Sequence, residues 1–200
     1  VKRDVIRVVS RGTIIDEAFL EKSKNNYIMC IYQCHKGFGL AFADVTTGEF
    51  LTTKFYDLEI KKVIDEIFKF EPAEIIVNGD FEYKEIIEST LNIKPQVYYD
   101  WSFEYNTSYK ILCDHFNVLS LKGFGINEDI LSVSACGALI KYLHSTQKNS
   151  LSHIISIKNY NVSQYMVLDM PSRKNLELCE SIKDGSKKGS LLSVLDKTKT

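Results

Sequence analysis

The sequence predicts a mixed α/β domain followed by the start of a mainly helical region, and three observations carry that reading. Tyr27 to Cys34, Phe38 to Asp44 and Gly48 to Lys54 are consecutive runs rich in β-formers, separated only by the short glycine-bearing turns HKG and VTTG, the pattern of an antiparallel meander. From Leu58 the apolar spacing becomes helical and alternates with short apolar runs, so that helices pack on a mixed sheet. Beyond Lys148 the pattern breaks again, into a short β-rich piece and then leucine-bearing helical stretches joined by a Lys/Gly/Ser loop.

Taken in order, Val5 to Val9 is a short β-branched run inside a linker, residues 1–24, that leads into the domain. After the meander, Leu58, Val63, Ile64, Ile67 and Phe68 recur at helical spacing, with Asp57 placed to cap the start and Pro72 beyond the end. Glu74 to Val77 is a short strand, apolar after Glu74 and closed by Asn78-Gly79-Asp80, Tyr83 to Leu91 a second helix, and Gln96 to Tyr99 a fifth strand. Phe103 to Phe116 reads as a third helix. Leu131 to Thr146 is a longer fourth, in which Gly137 costs about 1 kcal/mol relative to alanine. The second region is expected to hold a β-rich piece through Tyr165 to Leu168, a helix from Ser172 to Ser181 and a helical SLLSVLD. The boundary falls near Asn149, giving one domain over residues 25–148 and the start of another over residues 149–200.

The composition narrows the function. With 200 residues, 44% of them hydrophobic, there is apolar material for one good core, or for one domain and part of a second. A formal net charge of −1 excludes a global basic field of the kind that holds a nucleic-acid backbone. The five cysteines, Cys30, Cys34, Cys113, Cys136 and Cys179, are odd in number and lack framework spacing, and no signal-peptide pattern opens the chain, so a reducing cytoplasm is expected. Apolar runs such as Ile28 to Tyr32 fall far short of the ~18 residues of a membrane helix. An opening Val1 and a polar LDKTKT close suggest a piece cut from a longer protein.

No motif points to chemistry. In DGSKKGSLL, Gly185 and Gly189 enclose three residues, whereas a phosphate-binding loop needs four between its glycines, then Lys and Ser or Thr. The GFG at Gly37 and Gly123 lacks the third glycine of a dinucleotide fingerprint. Cys30 and Cys34 share a strand face but stand too far apart for joint metal ligation without His35, and His115, His144 and His153 have no HxxxH partner, so no metal site is expected. No Ser or Cys carries a recognisable catalytic base in sequence. A metal-dependent nuclease is the alternative worth testing, because a meander followed by alternating helices and strands is the order of an RNase H-like fold. Two-metal chemistry needs several acids aimed at one point. The first strand, Tyr27 to Cys34, has none, and Asp44, Asp80 and Asp100 sit where turns call for Asp.

Five segments carry a family resemblance: RVVSRGT (Arg7 to Thr13), GLAFADVTTGEF (Gly39 to Phe50), SACGALIKYLHSTQK (Ser134 to Lys148), YMVLDMPSRKNLEL (Tyr165 to Leu178) and GSLLSVLDKTKT (Gly189 to Thr200). In order and separation they resemble successive signatures of the MutS family of mismatch-recognition ATPases. The family has Thr-Pro where this chain has Ser10-Arg11, and Arg-Arg where it has Arg173-Lys174; losing the Pro makes the linker less stiff. The resemblance implies an RNase H-like connector up to about Lys148, then the first segment of a helical core, or lever, domain. It further implies that the full-length protein is a homodimer that binds mispaired DNA through other domains, uses ATP and Mg, and recruits MutL. This stretch itself would be non-catalytic, with no cofactor and no membrane association, linking the mismatch-binding domain to the core.

The same resemblance directs attention to the third helix as a MutL-docking surface. At ~100° per residue, Tyr105, Tyr109, Leu112 and Phe116 form a stripe expected to face the sheet. Asn106, Lys110 and Asp114 then point to solvent, with Ile111 on the flank, an apolar anchor rimmed by polar groups.

Overall fold

A computed structural model describes residues 26–126, 128–146, 151–162, 168–186 and 188–196. The linker, residues 1–24, with its Val5 to Val9 run, and most of the β-rich piece Tyr165 to Leu168 lie outside the described residues. The chain divides into two compact units, Val1–Asn161 and Val162–Thr200.

In the first unit the meander forms as predicted: β1 (Tyr27–Cys34), β2 (Gly37–Asp44) and β3 (Glu49–Phe55) pair antiparallel in sequence order. β4 (Glu74–Val77) joins β1 in parallel, and β5 (Gln96–Val97) joins β4 in parallel. A short β6 (Lys158–Asn159) adds in parallel to β3, which completes the six-stranded order β5-β4-β1-β2-β3-β6. The sequence reading stops at five strands because a two-residue strand carries no periodic signal. It also assigns residues 151–161 to the second region, whereas Leu151, Ile154 and Ile157 are buried in the core of the first.

The two faces of β2 explain how the layers stack. Side chains alternate along a strand, so Gly39, Ala41 and Ala43 line one face while Phe38, Leu40 and Phe42 line the other, all of them buried. The small-residue face takes α4 (Ile130–Thr146), and a Cβ on Gly39 would lie 2.0 Å from the carbonyl oxygen of Leu131. The large-residue face packs on α1 (Ile60–Phe70), where Phe42 stacks on Phe70 at 4.2 Å between centroids. α2 (Lys84–Leu91) contributes the fully buried Ile87.

α4 is buried on nearly every side, and its Ala, Gly and Ser residues let neighbouring backbones approach closely. α3 (Tyr105–Phe116) packs on α4 at such a place: a Cβ on Gly137 would lie 2.3 Å from the Cβ of Ser108. The predicted stripe Tyr105, Tyr109, Leu112 and Phe116 therefore packs within the α4-side core rather than directly on the sheet, with Ser108 and Leu112 as its buried centre.

Several boundaries differ from the prediction for local reasons. α1 starts at Ile60 with Glu59 as its cap residue, because the Asp57 carboxylate accepts from the Glu59 N–H and pairs with Lys62 instead of capping the first turn. Asp100–Phe103 forms a separate 3-10 turn ahead of α3. In the second unit, α5 (Met170–Asn175) is capped by Asp169 and ends well short of Ser181, because Glu177 adopts a left-handed φ of 47° that a continuing helix cannot contain. α6 (Leu191–Leu195) follows its Ser190 cap. No helix of the described residues is long and apolar enough to cross a membrane.

Candidate functional site

α3 is placed by its inner face. Gly137 admits Ser108, whose hydroxyl donates to the Ser102 carbonyl at 2.8 Å, and this locks the preceding 3-10 turn to the helix. Asn106, Lys110 and Asp114 consequently lie exposed on the outer face, as their spacing predicts. Ile111 is the exception within the predicted set: it is half-buried and packs against the core. The outer face of α3 is therefore polar, without the apolar anchor expected there.

An apolar anchor lies instead just before the helix, in a place the sequence reading missed. Tyr99 and Trp101 are 64% and 51% exposed and stack on each other, with ring centroids 6.2 Å apart. Lys141 of α4 holds its ammonium 5.6 Å from the centre of the Trp101 ring. These rings stand on a fixed ledge: the Asp100 carboxylate accepts from the Gly79 N–H at 2.6 Å, and both the N–H and the hydroxyl of Ser102 donate to the Tyr99 carbonyl. Exposed aromatics on a preorganised backbone, beside a cation, resemble the energetic centres of protein interfaces. The available signal was the unusual density of rings in VYYDWSF, which the sequence reading absorbed into a strand and a helix start.

The acids that a nuclease would need are each committed elsewhere or apart. Asp44 accepts from the N–H groups of Asn26, Thr46 and Thr47 and from the Thr46 hydroxyl, the turn-forming role its sequence context suggests. Asp100 holds Gly79 across two loops, and Asp80 is exposed. Glu74 is buried and accepts from the Tyr142 hydroxyl, which ties β4 to α4. Cys30 and Cys136 are fully buried; burial pushes the Cys30 thiol well up, reinforced by Cys136, and pushes Cys136 up to about 12. Such thiols stay protonated and are poor nucleophiles.

The histidines are better organised than their spacing suggests. His115, in the last turn of α3, approaches His144, in the last turn of α4, with Nδ1 and Nε2 3.2 Å apart. The His115 Nε2 faces the Ile154 carbonyl at 3.1 Å, and His153 Nε2 faces the Val45 carbonyl at 2.7 Å. Burial holds the His115 imidazole below its ordinary pKa, with His144 and His153 adding to the effect against the Ile154 bond. Burial and then Lys141 do the same for His144.

Residues 26–155 match MutS domain II, a span that covers β1 to β5, α1 to α4 and the buried Leu151 and Ile154. Over its whole length the chain is 46% identical to a DNA mismatch repair protein MutS of Ruminiclostridium cellulolyticum, of which it covers 23%. It is 45% identical to that of Acetivibrio thermocellus, again covering 23%, and 42% identical to that of Lachnoclostridium phytofermentans, covering 22%. The chain thus spans under a quarter of the length of these curated relatives. The family match over residues 26–155 and the identity along the whole chain show that the chain belongs to the MutS family, and residues 26–155 are its domain II, the connector.

Proposed function

We propose that this chain serves a MutS-type mismatch-recognition ATPase as a non-catalytic connector and the beginning of its core, linking the mismatch-binding domain to the core and offering MutL a docking surface. The observation that supports the mechanical part is the coincidence of the domain II match with a unit whose buried acids serve its own turns and layer contacts. A linker that transmits movement must not deform. A helix buried on nearly all sides, with backbone-close contacts to β2 and α3, provides that stiffness. On this reading the full-length protein is a cytoplasmic homodimer that binds mispaired DNA through other domains and uses ATP and Mg there, while no cofactor binds to this segment.

The docking surface we assign is the outer face of α3, Asn106, Lys110 and Asp114, with Ile111 shaping its edge. The Tyr99–Trp101 ledge directly before the helix supplies the apolar anchor. The test uses the full-length protein carrying Lys110→Glu and Asp114→Lys, and separately Trp101→Ala. Mismatch binding and ATP hydrolysis should be retained, while MutL recruitment to mismatched DNA weakens roughly tenfold or more with the loss of a central anchor. Normal recruitment in both variants would remove α3 and its ledge as the docking site.

A further inference from the structure

We propose that His115 and His144 form an open binding site for a borderline divalent transition-metal ion, with zinc as the reference ion. The two imidazole nitrogens that face each other, Nδ1 of His115 and Nε2 of His144, are 3.2 Å apart. A tetrahedral zinc ion with Zn–N bonds of ~2.0–2.1 Å holds two nitrogens about 3.3 Å apart, so the existing separation already matches the ligand–ligand span. Both side chains project from helices rather than loops, which fixes their spacing.

The surroundings favour a cation in two further ways. Each histidine occupies the last turn of its helix, where the aligned peptide dipoles present their negative end. The Ile154 carbonyl can only accept, so the facing Nε2 of His115 carries the hydrogen and Nδ1 is left with a bare lone pair. A ligating imidazole whose other nitrogen donates to a backbone carbonyl is the usual outer support of a metal site.

Without metal, the His144 Nε2–H donates into the His115 lone pair. Binding exchanges that hydrogen for the ion: His144 shifts its proton to Nδ1 through solvent, and the ion takes one lone pair from each ring, with no net change in bound protons. His144 is exposed at its solvent edge while its ring packs edge-on against His115, so ligation requires that ring to turn from the collinear hydrogen-bond geometry toward the converging one. Among the described residues no third His, Cys, Asp or Glu joins the pair, so water completes the shell and the site stays open on its solvent side. Imidazole ligands select zinc, copper or nickel over magnesium or calcium. A bound ion would clamp α3, α4 and, through His115, the 151–157 segment together.

The test is calorimetric titration of the tag-free 200-residue chain with zinc chloride at neutral pH. One ion per chain is expected. His115→Gln and His144→Gln should each weaken uptake roughly tenfold or more, while His35→Gln, in the exposed β1–β2 turn, should leave it unchanged. If a Gln variant fails to fold, nitrogen-15 spectra of the wild-type imidazoles decide: zinc must shift Nδ1 of His115 and Nε2 of His144 together. Absence of saturable uptake, uptake unchanged in His144→Gln, or shifts confined to His35 or His153 would overturn the site.

Discussion

The two units of this chain handle apolar side chains in opposite ways. Among the described residues of Val1–Asn161 most large aliphatics and most rings are enclosed between the sheet and its helices, on two faces with different characters. In Val162–Thr200 helix α6 buries none of its residues, and Leu176, Ile182, Leu191, Leu192, Val194 and Leu195 are all exposed. Both units have well-made local structure. Asp169 and Ser190 accept hydrogen bonds from the first turns of α5 and α6 just as helix caps should. Capping and turn chemistry therefore specify where short helices start, but a stable domain needs a second layer to receive their apolar faces.

The comparison sharpens most at the boundary. A chain shortened to end at Asn161 should melt as cooperatively as the whole, because it keeps all the described strands and described buried residues of the sheet unit. A chain ending at Lys148 loses β6 and the buried Leu151, Ile154 and Ile157. Full burial of an aliphatic side chain contributes about 1.5–3 kcal/mol, so the shorter chain should lose on the order of 5 kcal/mol or unfold. Equal denaturant midpoints for the two would show that the 151–161 segment is an ornament on the sheet.

The next largest effect should come from the α3–α4 contact. Replacing Gly137 with Leu places a Cβ where the Ser108 side chain stands, and overpacking of a closed core costs about 3 kcal/mol or more when backbones must separate. Chemical denaturation gives the loss directly. A variant as stable as wild type would mean that α3 is loosely seated, which would also undermine its use as a rigid docking face.

Much of this was legible in the sequence. The meander, β4 and the fourth helix follow from β-branched runs, glycine turns and length, and their bounds match within a residue or two. What escaped has a common physical cause, which is dependence on partners distant in sequence. That α3 faces α4 rather than the sheet depends on two small residues, Ser108 and Gly137; from sequence alone the glycine reads as a helix cost rather than as a contact. The His115–His144 pair spans 29 positions and belongs to no local motif. β6 is two residues held by β3, and the Tyr99–Trp101 ledge depends on Asp100 reaching Gly79.

A paired substitution tests the contrast side chain by side chain. Leu143→Ala removes a fully buried side chain and should cost about 2–5 kcal/mol. Leu195→Ala removes one that is 68% exposed and should change stability by no more than about 0.5 kcal/mol. A comparable cost for Leu195→Ala would reveal a partner for α6, such as a second copy of the chain, and a dependence of that cost on protein concentration would identify it as one.

The smallest effect expected is a pH dependence confined to the sheet unit, where all four histidines lie: His35, His115, His144 and His153. His115 and His144 are held below the ordinary imidazole pKa, chiefly by burial. Near pH 6.5, the value of a free imidazole, the unfolded chain therefore binds more protons than the folded one, so stability falls as pH falls. The contribution is fully present above that value and is lost progressively as pH drops through it toward the lower folded-state values. Thermal melts taken between about pH 7.5 and 5 should shift downward, and His115→Gln should flatten the shift by removing one of the two depressed groups. The second unit has no histidine and should show no corresponding change in amide exchange beyond the intrinsic effect of pH. An unchanged slope in His115→Gln would assign the acid sensitivity to other groups, and a melting temperature that rose on acidification would reverse the sign argued from burial.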